Sequence, residues 1–233
     1  MTSILGIIPA RAGSRGIPHK NTTLLAGKPL IAYTLEAAQN CPAIDYLVVT
    51  TDCERVSEIA KNYAVDIINR PATLATATAT SDDVVQHVLQ TVAAEGRTYD
   101  AFVLLQPTSP LRTAEDIRHA IALFQKQRYR GSVVSVVRPD KHPMKSFQLN
   151  HGHLKPWIDE KTLGSPRQLL PELVQSDGAI YITSTEAFIT HGGFYSPPLT
   201  PYFIAKQHSI DVDDADDLQL ATFYLSKVER DSK

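Results

Sequence analysis

Short apolar runs alternate with longer segments of helical periodicity along most of the chain. Runs such as AFVLL at 101–105 and SVVSVV at 132–137 contain few polar positions, which is typical of strands buried on both faces of a sheet. Strands that alternate with helices predict an α/β fold, in which right-handed crossovers build a Rossmann-like, mainly parallel sheet with helices on both faces. The predicted strands cover residues 3–9, 45–50, 65–68, 101–105, 132–137 and 179–183.

Polar capping residues mark the predicted starts of two helices. Ser81 precedes two aspartates and an apolar stripe, which predicts a helix with Ser81 as its N-cap. Thr113 and Asp116 have the spacing of a capping box ahead of another helix. Further helices are predicted at 30–38 and 53–63, after 179–183, and from near Asp214.

The alternation stops between residues 138 and 176, where five prolines occur without sustained periodicity. Proline fixes φ and lacks a backbone donor, so it disfavours a central strand. We therefore predict one domain over 1–233 with an excursion at about 140–176, which leaves the sheet and packs on another surface.

Composition excludes several classes of protein. The 233 residues are 43% hydrophobic and can bury a sizeable core, and a net charge of -2 argues against a nucleic-acid or membrane-surface partner. Two cysteines cannot form a disulfide scaffold or a Cys-rich zinc site, and they suit a reducing compartment. The short apolar run at the N-terminus is neither a signal peptide nor a spanning helix, so we expect a soluble, cytoplasmic protein.

Charge is distributed unevenly along this nearly neutral chain. Residues 1–35 contain four basic residues and no acidic one, whereas residues 211–217 contain five aspartates and no basic one. A basic region and an acidic region together suit a polyanionic ligand and a divalent cation.

The basic region includes a loop, residues 8–21, that follows the first predicted strand. Open α/β sheets bind ligands at the carboxyl ends of their strands, and glycines let backbone N–H groups approach a phosphate. The loop lacks the Gly-Lys-Ser/Thr of a Walker A loop and the first glycine pair of a dinucleotide fingerprint. Arg11, Arg15 and Lys20 predict a phosphate site, and a solvated basic turn is the alternative.

Two further segments carry candidate ligand groups. Residues 105–112 (LQPTSPLR) follow a buried strand and include Gln106, which offers both a donor and an acceptor; the alternative is a stiff connection fixed by two prolines. Asp211 and Asp213 are separated by one residue, so both carboxylates of an extended segment would point the same way. They predict a site for Mg²⁺ or Mn²⁺, whereas the other three aspartates are expected to cap the last helix.

Together these segments resemble the acylneuraminate cytidylyltransferase family, the CMP-sialic acid synthetases. The resemblance implies an enzyme that transfers CMP from CTP to the anomeric hydroxyl of a nine-carbon 2-keto sugar acid and releases pyrophosphate. It also implies a homodimer, in which the excursion packs over the sheet of the partner. The matching segments occur in the family's order at residues 8–21, 70–81, 105–112, 142–145, 166–168, 178–181 and 209–213.

The resemblance further implies roles for individual residues. Arg11, Lys20, Asp211 and Asp213 would be catalytic, the two aspartates as ligands of Mg²⁺. The nucleotide would be bound by Ala10, Arg11, Gly13, Ser14, Arg15, Lys20, Asn21, Arg70, Ala79 and Ser81. The sugar acid would be bound by Gln106, Lys145, Arg167, Tyr181, Phe194 and Tyr195.

Three positions depart from the family's pattern. Arg15 stands where lysine is common, Ala77 where many relatives have aspartate, and Asp177 where asparagine is common. The change at 177 leaves open whether the sugar acid is of the neuraminate, legionaminate or pseudaminate type. Segments 166–168 and 178–181 favour a nine-carbon acid over the alternative, a 3-deoxy-manno-octulosonate cytidylyltransferase. The paired aspartates argue against a second alternative, a nucleotide-binding module without catalysis.

Overall fold

The computed structural model describes residues 2–14 and 16–231 of the chain. The strands are β1 (Ile4–Pro9), β2 (Leu24–Leu25), β3 (Lys28–Pro29), β4 (Tyr46–Thr51), β5 (Asp66–Asn69), β6 (Ala101–Leu105), β7 (Ser132–Val137), β8 (Phe147–Asn150), β9 (His153–Pro156), β10 (Gln175–Ser184) and β11 (Leu199–Phe203). The helices are α1 (Leu30–Gln39), α2 (Glu54–Asn62), α3 (Ser81–Ala94), α4 (Ala114–Lys126), α5 (Glu160–Gly164), α6 (Thr185–His191) and α7 (Ala215–Asp231). Within these described residues, no helix combines the length and the apolarity needed to cross a bilayer.

The central sheet confirms the predicted mainly parallel architecture. In the part of the chain that is described, seven strands pair in the order β11-β7-β10-β6-β1-β4-β5. Strand β10 is antiparallel to β6 and β7, and the other neighbours are parallel. The chain leaves β7, passes through residues 138–174 and re-enters the sheet from the same end. Because β10 begins at the end of the sheet where β7 finishes, the two strands run in opposite directions.

Helices cover both faces of the sheet, as the sequence predicts. In β1, Ile4 and Ile8 pack with side chains of α1, α2 and α4, whereas Leu5 and Ile7 pack on the other face with α3 and α6. All four side chains are buried, and each such burial contributes about 1.5–3 kcal/mol. The side chains of β1, which point alternately to the two faces, therefore hold both helical layers against one sheet.

The predicted cap of α3 is wrong by one residue, whereas the predicted cap of α4 is confirmed. Thr80, not Ser81, is the N-cap of α3: its hydroxyl accepts from the Asp83 amide at 3.1 Å, and the Asp83 carboxylate accepts from Thr80. A capping box needs an acceptor side chain at its third helical position. With Thr80 as the N-cap, the third position is Asp83, which has an acceptor side chain. With Ser81 as the N-cap it would be Val84, which has none.

The segment between β7 and β10 projects its apolar side chains into solvent. It contains the β8–β9 hairpin and the short helix α5. Exposed apolar residues are unusual at this density on a surface that has no partner. The large exposed apolar side chains of this segment are Phe147, Leu149, Leu154, Trp157, Ile158, Leu169 and Val174.

A buried arginine joins three of these elements next to the carboxyl end of β6. The Arg112 guanidinium is 2% exposed and donates through Nη1 to the carbonyls of Gln106 (3.1 Å) and Ala179 (2.8 Å), and through Nη2 to Thr34 Oγ1 (2.7 Å). Burial lowers the pKa of Arg112 to about 10, and the nearby carboxylates of Asp177 and Asp116 oppose that shift. The group therefore stays charged at neutral pH and holds the end of β6 against β10 and α1.

Replacing this guanidinium should destabilise the fold strongly. Arg112→Met should lower the free energy of unfolding by about 3–5 kcal/mol, because it leaves buried carbonyls and carboxylates without their cation. Urea denaturation would measure the change. The matched control is Arg118→Met, which removes an exposed arginine paired with Glu115 and should change stability little. Equal losses in the two variants would contradict the anchoring role of Arg112.

Candidate active site

A cleft of about 350 Å³ lies where β1 and β6 end and α3 begins. Parallel strands place their carboxyl ends at one edge of the sheet, where α/β folds bind ligands. Nine residues predicted as site residues line this cleft: Arg11, Ser14, Lys20, Asn21, Arg70, Ala79, Ser81, Gln106 and Asp213. Six further residues line it that the sequence did not single out: Pro9, Gly16, Thr80, Val84, Pro107 and Thr108.

A larger groove of about 530 Å³ lies between α3 and α6, but its chemistry is different. Leu89, Phe188 and Ile189 line it, and its one basic lining residue, Arg97, is paired with Glu95. The smaller cleft instead collects three cations and a carboxylate. Because clustered charges and a glycine-containing loop suit an anionic ligand, the smaller cleft is the candidate active site.

The loop after β1 is held by its own backbone and by Asn21. The Asn21 side-chain amide donates to the Arg11 carbonyl at 3.0 Å, and the Ala12 amide donates to Asp52 Oδ1 at 2.8 Å. Ala10 is fully buried and bonded through its backbone to β4, so it anchors the loop and does not line the cleft. Gly13 does not line the cleft either, and Arg15 lies outside the described residues.

Gly16 brings this basic loop against the acidic segment near the C-terminus. A Cβ at Gly16 would lie 2.0 Å from the carbonyl oxygen of Asp213, so no larger residue fits without movement of the backbone. Gly16 is the second glycine of the loop. In the sequence, the glycines of this loop predicted only a close approach of the backbone to phosphate, not the contact with Asp213. The close approach places the cations of the loop next to the predicted metal ligands.

Two cations of the cleft have defined partners. Lys20 Nζ is 2.7 Å from Asp213 Oδ1, and the lysine side chain is 12% exposed. Arg70 is buried, its Nη2 donates to the Thr50 carbonyl at 3.0 Å, and its Nε is buried without a partner. Burial lowers the pKa of Arg70 to about 10, so the guanidinium remains charged and offers an unused donor to a ligand.

The two predicted metal ligands differ in exposure. Asp211 is largely buried: burial raises its pKa, the Thr108 side chain bonds to its carboxylate, and Oδ1 is buried without a partner. The Asp213 side chain is 74% exposed. The amide of Val212, between them, donates to the Thr108 carbonyl at 2.8 Å, which fixes the segment on the end of β6. An unpartnered buried carboxylate oxygen beside an exposed carboxylate fits a hard divalent cation.

The number of carboxylates is also compatible with magnesium. Among the described residues, no group of three or more histidine, cysteine, aspartate or glutamate side chains could hold a metal. Mg²⁺ is commonly held by one or two carboxylates together with substrate phosphates, so Asp211 and Asp213 would be sufficient. Asp214 and Asp217 bond instead to backbone amides around the start of α7, which is the capping role expected for them.

Gln106 lines the cleft, whereas the three aromatic residues expected at the sugar acid pack together beside β10 and do not line it. Gly178 adopts φ +84°, and a Cβ there would lie 3.0 Å from the Gln106 side-chain oxygen. Tyr181 pairs with Leu104 in the sheet, and its ring centroid is 5.4 Å from that of Phe194 and 6.3 Å from that of Tyr195. Burial raises the pKa of Tyr181 to about 12, so it presents a neutral phenol.

Lys145 and Arg167 are not brought to the cleft of their own chain. Lys145 Nζ donates to the Leu163 carbonyl at 3.2 Å. Arg167 donates to the carbonyls of Asp140 (3.2 Å) and Pro139 (3.0 Å). Both therefore contact only the excursion here, and neither lines the cleft.

The sheet and the cleft define the class of protein. A mainly parallel α/β sheet whose first loop presents arginine, lysine and glycine, opposite paired carboxylates, is typical of nucleotide-binding transferases that use a divalent cation. Residues 5–191 match the family described as Cytidylyltransferase, and this match covers well over half of the chain. The chain therefore belongs to the cytidylyltransferase family, and the resemblance drawn from its motifs is confirmed.

Curated relatives support this assignment. An N-acylneuraminate cytidylyltransferase of Escherichia coli O18:K1:H7 is 35% identical over 98% of this chain and 54% of the relative. A CMP-N,N'-diacetyllegionaminic acid synthase of Legionella pneumophila is 35% identical over 90% of each chain. The chain spans about half the length of the first of these relatives.

One solved structure shows the same fold at low sequence identity. It is a CMP:2-keto-3-deoxy-manno-octonic acid synthetase in complex with CTP, with a TM-score of 0.72 and 14% identity. The similarity covers 97% of this chain and 99% of the other.

Replacing Gly16 tests whether its close contact with the Asp213 backbone shapes the cleft. Gly16→Ala should lower the free energy of unfolding by about 1–3 kcal/mol, because its methyl group collides with the Asp213 backbone. It should also weaken binding of CTP, the probe that the family suggests, by roughly tenfold as the loop is displaced. Thermal unfolding and calorimetric titration measure the two effects. Gly13→Ala is the matched control for unfolding, since a Cβ there meets no protein atom within 4 Å. If Gly13→Ala destabilised the chain as much as Gly16→Ala, the collision with the Asp213 backbone would not be the cause.

Proposed function

We propose that the chain transfers CMP from CTP to the anomeric hydroxyl of a nine-carbon 2-keto sugar acid and releases pyrophosphate. The observation that carries the proposal is the cleft, where Arg11, Lys20 and Arg70 converge opposite Asp213 at the carboxyl edge of the sheet. Arg11 and Lys20 can neutralise much of the charge of a triphosphate, and Arg11 can offer paired donors to phosphate oxygens.

The names of the relatives support a nine-carbon acid. Besides the neuraminate and legionaminate relatives, a pseudaminic acid cytidylyltransferase of Campylobacter jejuni is 29% identical over 98% of each chain. The octulosonate enzyme is similar in fold at 14% identity. Sequence similarity therefore favours a nine-carbon substrate and leaves its type open among these three.

Different residues of the cleft bind different parts of the nucleotide. Arg11, Lys20 and the amides of the loop bind the triphosphate. Arg70, Ala79 and Ser81 lie around the ribose and the base. Arg11 and Ala12 are held before the nucleotide arrives, by Asn21 and Asp52, so ordering them costs little entropy on binding.

The reaction is an in-line displacement at the α-phosphorus. The anomeric oxygen of the sugar acid forms a bond to the α-phosphorus while the bond to the bridging oxygen breaks, pyrophosphate leaves with that bond's electron pair, and the hydroxyl proton passes to water. Such a transfer needs positioning and stabilisation of phosphate charge rather than a covalent intermediate. Arg11 and Lys20 supply fixed positive charge where the leaving group develops negative charge.

Asp211 and Asp213 would hold the divalent cation, Mg²⁺ or Mn²⁺. When bound, this cation neutralises phosphate charge and lowers the pKa of a coordinated hydroxyl. Thr108 orients the Asp211 carboxylate, and the Asp217 carboxylate holds the Asp213 backbone at 3.0 Å. These contacts fix both ligands from the protein side.

We place the reaction in the cytoplasm. Cys41 and Cys53 are free thiols, which a reducing compartment preserves. No nucleic acid or membrane is needed as a partner for this chemistry.

The choice of sugar acid is directly testable. Pyrophosphate release from CTP should be fastest with a neuraminate, legionaminate or pseudaminate acid, and its kcat/KM should exceed that for 3-deoxy-manno-octulosonate by at least about a hundredfold. Binding sites that pair polar substituents discriminate by this order or more. A preference for the eight-carbon acid would favour the octulosonate alternative. Release with none of the four would favour a non-catalytic module.

A homodimer would complete the sugar end of the site. Lys145 and Arg167 lie on the excursion, outside their own cleft, and the excursion exposes apolar side chains such as Trp157 and Leu169. Packing of the excursion over the partner would bury these side chains and could bring the two cations to the partner's cleft. There they would supply positive charge for the carboxylate of the sugar acid.

Mixed dimers test this composite site. Arg167→Ala should raise the KM for the sugar acid by roughly tenfold or more, and Asp213→Asn should nearly abolish turnover. Co-expressed in equal amounts, the two variants should regain roughly a quarter of wild-type activity at low sugar acid, because half of the dimers carry one intact site. The controls are the homodimers of each single variant, expressed alone. If the mixture stays at the level of the variants alone, Arg167 does not act across a dimer.

A further inference from the structure

Lys20 and Asp213, whose expected ligands carry opposite charges, form an ion pair with each other. Lys20 is expected to bind a phosphate and Asp213 a divalent cation, yet Lys20 Nζ lies 2.7 Å from Asp213 Oδ1. The lysine side chain is 12% exposed and the aspartate side chain 74% exposed. Both line the same cleft, so the ammonium group is in contact with a carboxylate that would otherwise be open to solvent and to a cation.

The ammonium group also acts on the second carboxylate. Asp211 is largely buried and Oδ1 has no partner, and its charge interacts with Lys20, Asp213 and Asp217. Of these three neighbours only Lys20 is positive. Lys20 is therefore the group that offsets the negative charge of these carboxylates in the substrate-free cleft.

We propose that Lys20 takes the place of the divalent cation in the substrate-free cleft, and that the triphosphate draws Lys20 away so that metal and nucleotide enter together. The proposal rests on the proposed function, since it assigns the metal to Asp211 and Asp213. It assigns Lys20 a second role, as the group that keeps free cations out until a phosphate is present.

Electrostatics favours such an exchange. An ammonium group and a dication repel each other at contact distance, so they compete for the Asp213 carboxylate. The lysine is mostly buried and would be costly to leave unpaired. A triphosphate offers it new acceptors at the moment when Asp213 is released. Asp213 is otherwise held through its backbone, so its exposed side chain can turn toward a cation without loss of structure.

The test is binding of Mn²⁺ alone to the nucleotide-free protein, measured by electron paramagnetic resonance. Lys20→Met should bind Mn²⁺ roughly tenfold tighter or more than the wild type, because the competing ammonium is gone. Arg11→Gln is the matched control: it removes one positive charge from the same cleft but not the partner of Asp213, and should tighten binding much less. Lys20→Arg, which keeps the charge, should bind Mn²⁺ as weakly as the wild type.

The outcomes separate this proposal from the metal assignment. Equal tightening in Lys20→Met and Arg11→Gln, or none in Lys20→Met, overturns the exchange. If Lys20→Met with Asp213→Asn binds Mn²⁺ as tightly as Lys20→Met alone, the ion is held elsewhere and both the exchange and the metal site fail. Loss of the tightened binding in that double variant supports the exchange at Asp213.

Discussion

The buried guanidinium of Arg112 constrains the elements around the cleft. A charged group without access to water must keep every acceptor it has, so the end of β6, the strand β10 and the helix α1 have little freedom to move apart. Asp177 belongs to the same network and bonds to the Ser135 hydroxyl. The irregular stretch of β10 after Ser176 is held in this way, and with it the glycine that lies against Gln106. Stability and site geometry thus depend on one buried charge.

The cleft itself arises because two oppositely charged segments meet although 193 residues separate Lys20 from Asp213. Gly16 allows the backbone contact, and the resulting proximity gives the cleft a basic half and an acidic half. In the free protein the two halves neutralise each other through the ion pair. A ligand that brings both a polyanion and a dication can satisfy both halves at once, which favours a metal–nucleotide complex over either component.

The two ends of the site differ in how completely one chain builds them. The proposed nucleotide end is assembled from β1, β6, α3 and the acidic segment before α7. Of the residues proposed to bind the sugar acid, Gln106 lines the cleft, whereas the two expected cations bond to carbonyls of the excursion. The exposed apolar side chains of that excursion suit packing on a partner. Substrate choice would then depend on a surface that can vary without disturbing the nucleotide end.

The sequence by itself determined the element types and most of the nucleotide end. Apolar runs, helical periodicity and the Thr113 capping box are local signals, so the main strands of the central sheet, the helices outside the excursion and the loop after β1 could be predicted. The short strands β2, β3, β8 and β9 and the helix α5 were not predicted, because they lack such a pattern. The tertiary structure decided the direction of β10, the contact between Gly16 and Asp213, the burial of Arg112 and the separation of Lys145 and Arg167 from the cleft. It also corrected the cap of α3 from Ser81 to Thr80, where two adjacent hydroxyls competed. The physical reason is range: propensity and capping act over a few residues, whereas strand direction, close backbone contacts and buried charges depend on segments that meet only in the folded chain.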